Sequence, residues 1–187
     1  VFRPVNRIDK DTSGLLVVAK TDAAHQALTE QMSVHSIHRV YHAVVYGNLK
    51  EDTGFVEAPI GRDPKDRKKM AVTQQNSKYA YTSWQVLERF GNFTYIACKL
   101  KTGRTHQIRV HMASIGHPLA GDDLYGGSRE RIGRQALHCA RQSFRVPVYT
   151  PVEGGIRVKC PANGNNWKTV AAESPMPQDM KPLFGEK

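Results

Sequence analysis

Two neighbouring apolar segments joined by a short turn constrain the fold of this 187-residue chain more than any other feature. Residues 82–88 and 93–100 contain many β-branched and aromatic side chains, which is typical of strands. The four residues between them end in Gly91-Asn92, a pair that favours a tight turn. The pattern therefore predicts an antiparallel hairpin in the middle of the chain.

A third long strand is predicted over residues 38–47, because its side chains alternate between two faces. One face carries Tyr41, Ala43 and Val45, and the other carries Val40, His42, Val44 and Tyr46. Shorter extended segments are predicted at residues 14–20, 52–59, 69–73, 136–144 and 155–160.

Two helices are predicted from apolar residues that recur at helical spacing. The first follows Thr21-Asp22, an N-cap and a first-turn acid, and presents Ala24, Leu28 and Met32 on one face. The second contains Ile108, Met112 and Ile115 and ends at Gly116-His117-Pro118.

Hairpins mixed with a few helices predict an α+β fold with a mixed, largely antiparallel central sheet flanked by helices and loops. The length fits a single domain over residues 1–187. The proline-containing residues 174–187 are predicted to form an extended C-terminal tail.

The charge balance points to a polyanionic partner. Lys and Arg number 27 against 17 Asp and Glu, for a net charge of +10. Nucleic acid is the commonest polyanion, although a solvated basic surface without function is the competing interpretation. Five cations occur in residues 62–69, which we call the basic loop: Arg62, Lys65, Arg67, Lys68 and Lys69. Such a loop suits contacts with phosphates, which add affinity but carry no sequence information.

The cysteines and the hydropathy indicate a compartment. Cys98, Cys139 and Cys160 have no paired spacing, and an odd number argues against a disulfide framework. A reducing cytoplasm fits this pattern. No apolar run approaches the roughly 18 residues of a membrane span, so we expect no membrane partner.

Several kinds of site do not fit the sequence. His106, His111 and His117 lie close together in the chain, but five-residue spacing puts the first two roughly 140° apart on a helix. A Cys-x-x-Cys partner is missing, as are a P-loop, a dinucleotide fingerprint and a Gly-x-Ser-x-Gly elbow. We therefore expect no metal and no nucleotide cofactor.

Two polar segments are candidates for chemistry. Asp9 lies behind Arg7 and just before a Thr-Ser-Gly turn, where an aspartate most often hydrogen-bonds the turn or pairs with a lysine. Polar and cationic groups crowd residues 102–111, at the start of a helix whose free N–H groups favour an anion. Arg109 lies beside the apolar stripe, so it needs an anionic partner when partly buried, and Asp9 is the candidate. The alternative is a capped helix with a solvated basic face.

Tyr41 has two interpretations. On a strand beside Ala43 and Val45, a tyrosine is ordinarily part of the core. Its functional use would be to stack on a base.

Three segments together resemble the RluA-like pseudouridine synthases, which isomerise uridine to pseudouridine in ribosomal or transfer RNA. Residues 6–14 are similar to the catalytic motif His-Arg-Leu-Asp-x-x-Thr-Ser-Gly, with Asn6 and Ile8 as mild departures. Residues 39–47 resemble the family's tyrosine strand, and residues 103–111 resemble its Gly-Arg-Thr-His-Gln-Ile-Arg-Val-His helix. Weaker matches occur at residues 67–70, 115–118, 121–122 and 136–138.

The resemblance also implies something about the N-terminus. The family has a strand and an Asn-Lys-Pro segment before the catalytic motif, often preceded by a small RNA-binding domain. Neither is present here, so we expect the catalytic domain to be truncated at its N-terminus.

The resemblance implies a pseudouridine synthase fold and a reaction without a cofactor. Asp9 would be the catalytic carboxylate, which either adds covalently to the substrate or removes a ribose proton. Arg109 would pair with Asp9 and favour its charged form, and Tyr41 would stack against the uracil. Arg7 would contact the surroundings of the displaced nucleotide. The other expected substrate-binding residues are Arg104, Thr105, His106, Gln107, Ile108 and Leu137.

The expected partner is RNA, ribosomal or transfer, and the protein is expected to act as a monomer. A non-catalytic RNA-binding or ribosome-assembly protein on the same scaffold is the alternative function. Phosphate binding alone would require neither Asp9 nor Tyr41 nor Arg109.

Overall fold

A computed structural model describes residues 2–147, 150–152, 155–157 and 167–185. The strands in this part of the chain are β1 (Arg3–Pro4), β2 (Ser13–Gly14), β3 (Val18–Ala19), β4 (His38–Tyr46), β5 (Thr53–Glu57), β6 (Ile60–Arg62), β7 (Met70–Val72), β8 (Ser77–Lys78), β9 (Tyr81–Phe90), β10 (Phe93–Leu100), β11 (Leu137–Pro147), β12 (Thr150–Val152), β13 (Gly155–Arg157) and β14 (Trp167–Glu173). The helices are α1 (Asp22–Ser33), α2 (Gln107–Ser114) and the 3₁₀ helices Asp123–Tyr125 and Gln178–Phe184.

Seven strands form one mixed sheet in the order β14-β11-β4-β10-β9-β5, with β2 alongside β11. The β2–β11 pair is parallel and the other pairs in this sheet are antiparallel. The predicted hairpin is β9–β10, closed by Gly91 with a left-handed φ of 54°. The α+β fold with a largely antiparallel sheet is therefore confirmed.

The two faces of β4 are those that the sequence predicts. Tyr41, Ala43 and Val45 belong to a buried cluster on one face, together with Ile108 and Met112 of α2. Helix α2 therefore packs on the face of the sheet that carries Tyr41, and its first turn lies near that tyrosine.

Helix α1 begins as predicted, because Thr21 Oγ1 accepts a hydrogen bond from Ala24 N at 3.2 Å. A cap of this kind contributes about 1 kcal/mol. Leu28 anchors the helix against Ala19 and Ile37. The extended segment predicted at residues 14–20 is interrupted, and only its ends belong to β2 and β3.

The C-terminal residues differ from the prediction of an extended tail over residues 174–187. Residues Gln178–Phe184 form a 3₁₀ helix whose Met180 and Leu183 are almost fully buried. They cover Val44 on the second face of the sheet, and Phe184 stacks on Phe90 with ring centroids 4.6 Å apart. The apolar groups of the tail fold back because the sheet would otherwise expose this face to water.

Two further differences concern strands. β14 pairs with β11 along its length and was not predicted. Of the segment predicted at residues 155–160, β13 covers Gly155–Arg157, and the remaining residues, which include Cys160, lie outside the described part of the chain. No helix in the described ranges is long and apolar enough to cross a membrane.

Candidate active site

A cleft opens where the loop before β2, the beginning of β4 and the first turn of α2 meet. Its lining residues are Arg7, Ile8, Asp9, Thr12, Arg39, Tyr41, Leu100, Gly103, Arg104, Thr105, Gln107, Ile108 and Leu137. The structure thus brings together most residues that the sequence predicts for the site, although they come from four separate segments. Asp9 is the single carboxylate among these lining residues, and three arginines accompany it.

A tight turn holds Asp9 at the cleft. Thr12 N donates to Asp9 O at 3.1 Å, and Asp11 adopts a left-handed φ of 66°, which aspartate tolerates better than most residues. Gln135, two residues before β11, holds this turn in place, since its Nε2 donates to Lys10 O at 2.6 Å and to Thr12 Oγ1 at 3.2 Å. The position of Asp9 is therefore determined by backbone contacts rather than by its own side chain.

Gly14 joins the turn to the sheet. It pairs with Cys139 in the parallel β2–β11 ladder and has a left-handed φ of 105°. A Cβ at Gly14 would collide with the carbonyl oxygen of Cys139, so glycine is required here. Beside it, Ser13 Oγ lies 2.9 Å from His138 Nδ1. The Thr-Ser-Gly sequence therefore serves to bring the loop against β11.

Arg109 lies between two carboxylates, Asp9 and Asp122. Its Nε and Nη2 donate to Asp122 Oδ2 and Oδ1 at 2.7 and 2.9 Å, which is a two-point hydrogen-bonded ion pair. Its Nη1 lies 3.7 Å from Asp9 Oδ2, beyond hydrogen-bond distance. The side chains of Arg109 and Asp122 are 7% and 1% exposed, against 15% for Asp9. Asp122 therefore holds the arginine, while Asp9 faces the cleft.

The electrostatics of this trio follow from burial and pairing. Burial opposes the charge of Arg109, but the hydrogen bonds and charge of Asp122, together with the charge of Asp9, outweigh it and raise the pKa of the guanidinium. A carboxylate that meets a permanently charged arginine without a direct hydrogen bond keeps its oxygens available for a substrate. Such a group can act as a nucleophile or as a general base.

Tyr125 connects the residue just before helix α2 with the first residue of β7. Its Oη lies 2.7 Å from His106 Nδ1 and accepts a hydrogen bond from Met70 N at 2.9 Å. The guanidinium of Arg109 lies over the Tyr125 ring at 5.0 Å. Burial, followed by the charge of Arg109, lowers the pKa of His106, so the imidazole is held neutral. His106 also has a left-handed φ of 57°, a strained conformation that these contacts maintain.

Tyr41 forms one wall of the cleft and is 5% exposed. Burial raises the pKa of its phenol, and Cys139 and Asp9 raise it further. The phenol is therefore neutral and its ring is fixed by the core. Ile108 and Leu137, also buried, complete the apolar part of the lining.

Gln107 requires a correction, because its side chain is fully used within the protein. Its Oε1 accepts from Thr102 Oγ1 and Arg104 N at 2.7 and 2.9 Å. Its Nε2 donates to Tyr81 O and Thr82 Oγ1, each at 3.0 Å. Gln107 therefore ties the start of α2 to β9, and its amide is not free to bind a substrate. Gln107 nevertheless lines the cleft, whereas His106 is not among the lining residues and contacts Tyr125.

The other histidines considered as metal ligands hold the fold together. His111 lies 2.9 Å from Thr82 Oγ1 through Nδ1 and 3.0 Å from Ala58 O through Nε2. His117 Nδ1 lies 2.7 Å from Tyr46 O. In the described ranges, no three His, Cys, Asp or Glu residues gather as metal ligands would.

The residues of the basic loop are not among the lining residues of the cleft. Asp63 Oδ1 accepts from Lys65 N and Asp66 N at 2.7 and 3.0 Å, and Arg62 Nη1 donates to Arg67 O at 2.9 Å. The predicted cations of the loop differ in exposure: Arg62, Lys65, Arg67 and Lys68 are exposed and Lys69 is half-buried. The loop is thus a structured turn whose cations project into water.

Sequence reasoning missed Asp122, Gln135 and Arg39 as parts of the site. Asp122 follows Gly121, whose φ of 76° and close approach to Arg134 O exclude a side chain. The sequence signal was the Gly-Asp pair itself, since an aspartate in an apolar context needs a cationic partner. Gln135 and Arg39 carried no such local signal.

Comparisons with known proteins agree with this geometry. A sequence profile described as RNA pseudouridylate synthase matches residues 1–114. An uncharacterized RNA pseudouridine synthase of Bacillus subtilis, YlyB, is 47% identical, and the match covers 98% of this chain and 56% of that protein. Ribosomal large subunit pseudouridine synthase D of Zymomonas mobilis is 43% identical over the same shares. This chain therefore spans about half the length of these relatives.

Solved structures extend the agreement to the fold. The human RNA pseudouridylate synthase domain containing 1 is 28% identical, with a TM-score of 0.71 over 87% of this chain and 69% of that chain. The human domain containing 4 shares the fold at 18% identity, with a TM-score of 0.69 over 96% of this chain and 73% of that chain. From its sequence and from its fold, the chain belongs to the RNA pseudouridylate synthase family.

Proposed function

We propose that this chain is the catalytic part of an RNA pseudouridine synthase that isomerises uridines in ribosomal RNA. The observation that carries the proposal is the placement of Asp9, which is the one carboxylate among the described lining residues of the cleft. It lies beside three arginines of the lining, 3.7 Å from Arg109, and in the same cleft as Tyr41. A module that only binds phosphate needs none of these three groups in that arrangement.

Each group has a role in the proposed reaction. The bond from uracil N1 to ribose C1′ is cut, the base rotates, and a bond from uracil C5 to C1′ forms as C5 loses its proton and N1 gains one. Asp9 attacks the substrate or removes a ribose proton. Arg109, fixed by Asp122, stabilises the ionised carboxylate. The Tyr41 ring holds the uracil while it turns. No redox step occurs, so the residues of the cleft suffice.

Access to the cleft requires the target nucleotide to leave its RNA helix. Arg7 precedes Asp9 in the chain and is exposed at the cleft, where it can contact the space that the nucleotide vacates. Arg104, Thr105 and Leu137 line the remainder of the pocket. The exposed cations of the basic loop would contact the RNA backbone.

Ribosomal RNA is favoured over transfer RNA because the named relatives include synthases of the large ribosomal subunit. We expect the protein to act in the cytoplasm, since Cys98 and Cys139 are free, buried thiols. We also expect the protein to act as a monomer.

The test compares the wild type with Asp9→Asn and Asp11→Asn on ribosomal and transfer RNA, followed by chemical mapping of pseudouridine. Asp11 is an exposed carboxylate two residues away, and asparagine tolerates its left-handed backbone. We expect Asp9→Asn to lose about 10³-fold or more in rate and Asp11→Asn to retain it. Modification by Asp9→Asn at the wild-type rate would remove Asp9 from the mechanism. Binding of RNA without any product would favour the non-catalytic alternative.

A further inference from the structure

We propose that Arg39 binds a phosphodiester group next to the target uridine, inside the same cleft as Asp9. This inference rests on the proposed function, since it concerns how that cleft receives its nucleotide. It adds to the site a residue that neither the motif resemblance nor the charge pattern singled out.

Arg39 is placed at the cleft by the sheet. It lies in β4 two residues before Tyr41, so both side chains lie on the same face of the strand, and both line the cleft. Its guanidinium lies against Gly103, where an added Cβ would be only 3.1 Å from Nη2. The guanidinium therefore occupies the junction between β4 and the segment that begins α2.

The charge of Arg39 has no counter-ion among the residues that the structure describes. The residue is 8% exposed, and its Nε is buried without a hydrogen-bond partner. In the described part of the chain, no carboxylate forms an ion pair with it, whereas Arg109 in the same site meets two. A buried cation without a partner destabilises the folded protein. A ligand that brings a negative charge into the cleft would remove that cost.

The chemistry of the ligand follows from the charge and from the shape of the group. A guanidinium matches phosphate oxygens with parallel N–H groups, and the match is stronger than a bond to a neutral carbonyl. Uracil is neutral, whereas the RNA strand supplies a phosphodiester on each side of every nucleotide. A phosphate held by Arg39 would fix the ribose of the flipped nucleotide relative to Asp9 and Tyr41. Gly103, which has no side chain, leaves space for the guanidinium itself.

The experiment measures binding of uridine 3′,5′-bisphosphate and of uridine by calorimetry, and follows the Arg39 Nε–H signal by ¹⁵N NMR. The wild type should bind the bisphosphate at least about tenfold more tightly than uridine, with a shift of the Arg39 signal. Arg39→Gln should abolish this difference and leave uridine affinity unchanged, and Arg39→Lys should keep part of it. Lys50→Gln removes an exposed charge beyond the opposite end of β4 and should behave as wild type.

Stability provides a second readout. Because the Arg39 charge is unpaired among the described residues, Arg39→Gln should unfold at the wild-type Tm or above it. A large fall in Tm would show that the arginine serves the fold and would overturn the proposal. The proposal would also be overturned if Arg39→Gln weakened the binding of uridine and of the bisphosphate equally, or if the wild type did not prefer the bisphosphate.

RNA modification with no Arg39-dependent phosphate binding would defeat this inference alone. Arg39-dependent binding without any pseudouridine would defeat the proposed reaction alone.

Discussion

At the scale of single residues, the site divides two tasks between two aspartates. Asp122 makes both short hydrogen bonds to Arg109 and is 1% exposed, so it acts as the structural anion. Asp9 meets the same guanidinium only at 3.7 Å. An arginine satisfied by one carboxylate can stabilise the charge of a second carboxylate without occupying its oxygens.

This division predicts opposite consequences for two matched substitutions. Asp122→Asn leaves Arg109 buried beside an amide that cannot balance its charge, so we expect a loss of about 3–5 kcal/mol in the free energy of unfolding. Asp9→Asn breaks no hydrogen bond to Arg109 and should cost about 1 kcal/mol or less, while removing activity. Urea unfolding of both variants measures the difference. Equal losses would show that the two aspartates share the support of Arg109.

At the scale of elements, the sequence predicted the features that depend on residues close together in the chain. Alternation along β4, the Thr21 cap and the Gly91-Asn92 turn each depend on neighbours in sequence, and all three are found in the structure. The strand β14 and the 3₁₀ helix of the tail depend on distant partners, β11 and Val44, which no short window contains. The same holds for the site. The motif around Asp9 could be identified from the sequence, whereas the hydrogen bonds from Gln135 to the Asp9 turn could not be predicted.

The short β2–β11 pair is the element that fixes the Asp9 turn, and Gly14 is its critical residue. Gly14→Ala forces a side chain into a left-handed conformation and against Cys139 O, so we expect a loss of at least about 2 kcal/mol. The displaced turn should also reduce activity. Gly133→Ala is the control, because an added Cβ there meets no atom within 4 Å. Thermal unfolding and the modification assay distinguish the two; a stable, active Gly14→Ala would contradict the requirement for glycine.

At the scale of the whole molecule, the net charge of +10 predicts RNA binding that depends strongly on salt. Replacing Lys65, Arg67 and Lys68 by glutamine removes three exposed cations of the basic loop and spares Arg62, which holds the loop backbone. Each lost contact with single-stranded RNA should reduce the slope of log K against log salt by about 0.7, or about 2 in total.

The control for the basic loop removes the same charge elsewhere. Lys20, Lys50 and Lys181 are exposed lysines outside the loop and the cleft lining, and the triple glutamine variant should change the slope less. Fluorescence anisotropy of a labelled RNA over a series of salt concentrations supplies both slopes. Identical slopes for the two triple variants would mean that overall charge, not the basic loop, governs binding.

Stability of the whole fold should fall on mild acidification, because three histidines are held neutral. Burial lowers the pKa of His42, His106 and His111. Below the ordinary histidine pKa near 6.5, the unfolded chain therefore binds more protons than the folded chain. The contribution of the three neutral histidines to the free energy of unfolding is complete above that pH. It is lost as the pH falls through the lower pKa values of the folded state. The carboxylates with lowered pKa, Asp22, Asp63 and Asp179, lose their contribution only in a more acidic range.

His111 should account for a separable part of this acid sensitivity, because both of its ring nitrogens face protein partners and it is fully buried. Each histidine contributes at most about 1.4 kcal/mol per pH unit to the slope of unfolding free energy. His111→Gln should reduce the slope of unfolding free energy against pH by up to this contribution of one histidine. The reduction should occur between about pH 6.5 and the lower pKa of the folded state, whatever the effect of the substitution on stability at neutral pH. His35→Asn, at an exposed left-handed position, should keep the wild-type slope. Urea unfolding at closely spaced pH values measures both, and a wild-type slope in His111→Gln would show that protonation of this buried ring does not drive the loss of stability.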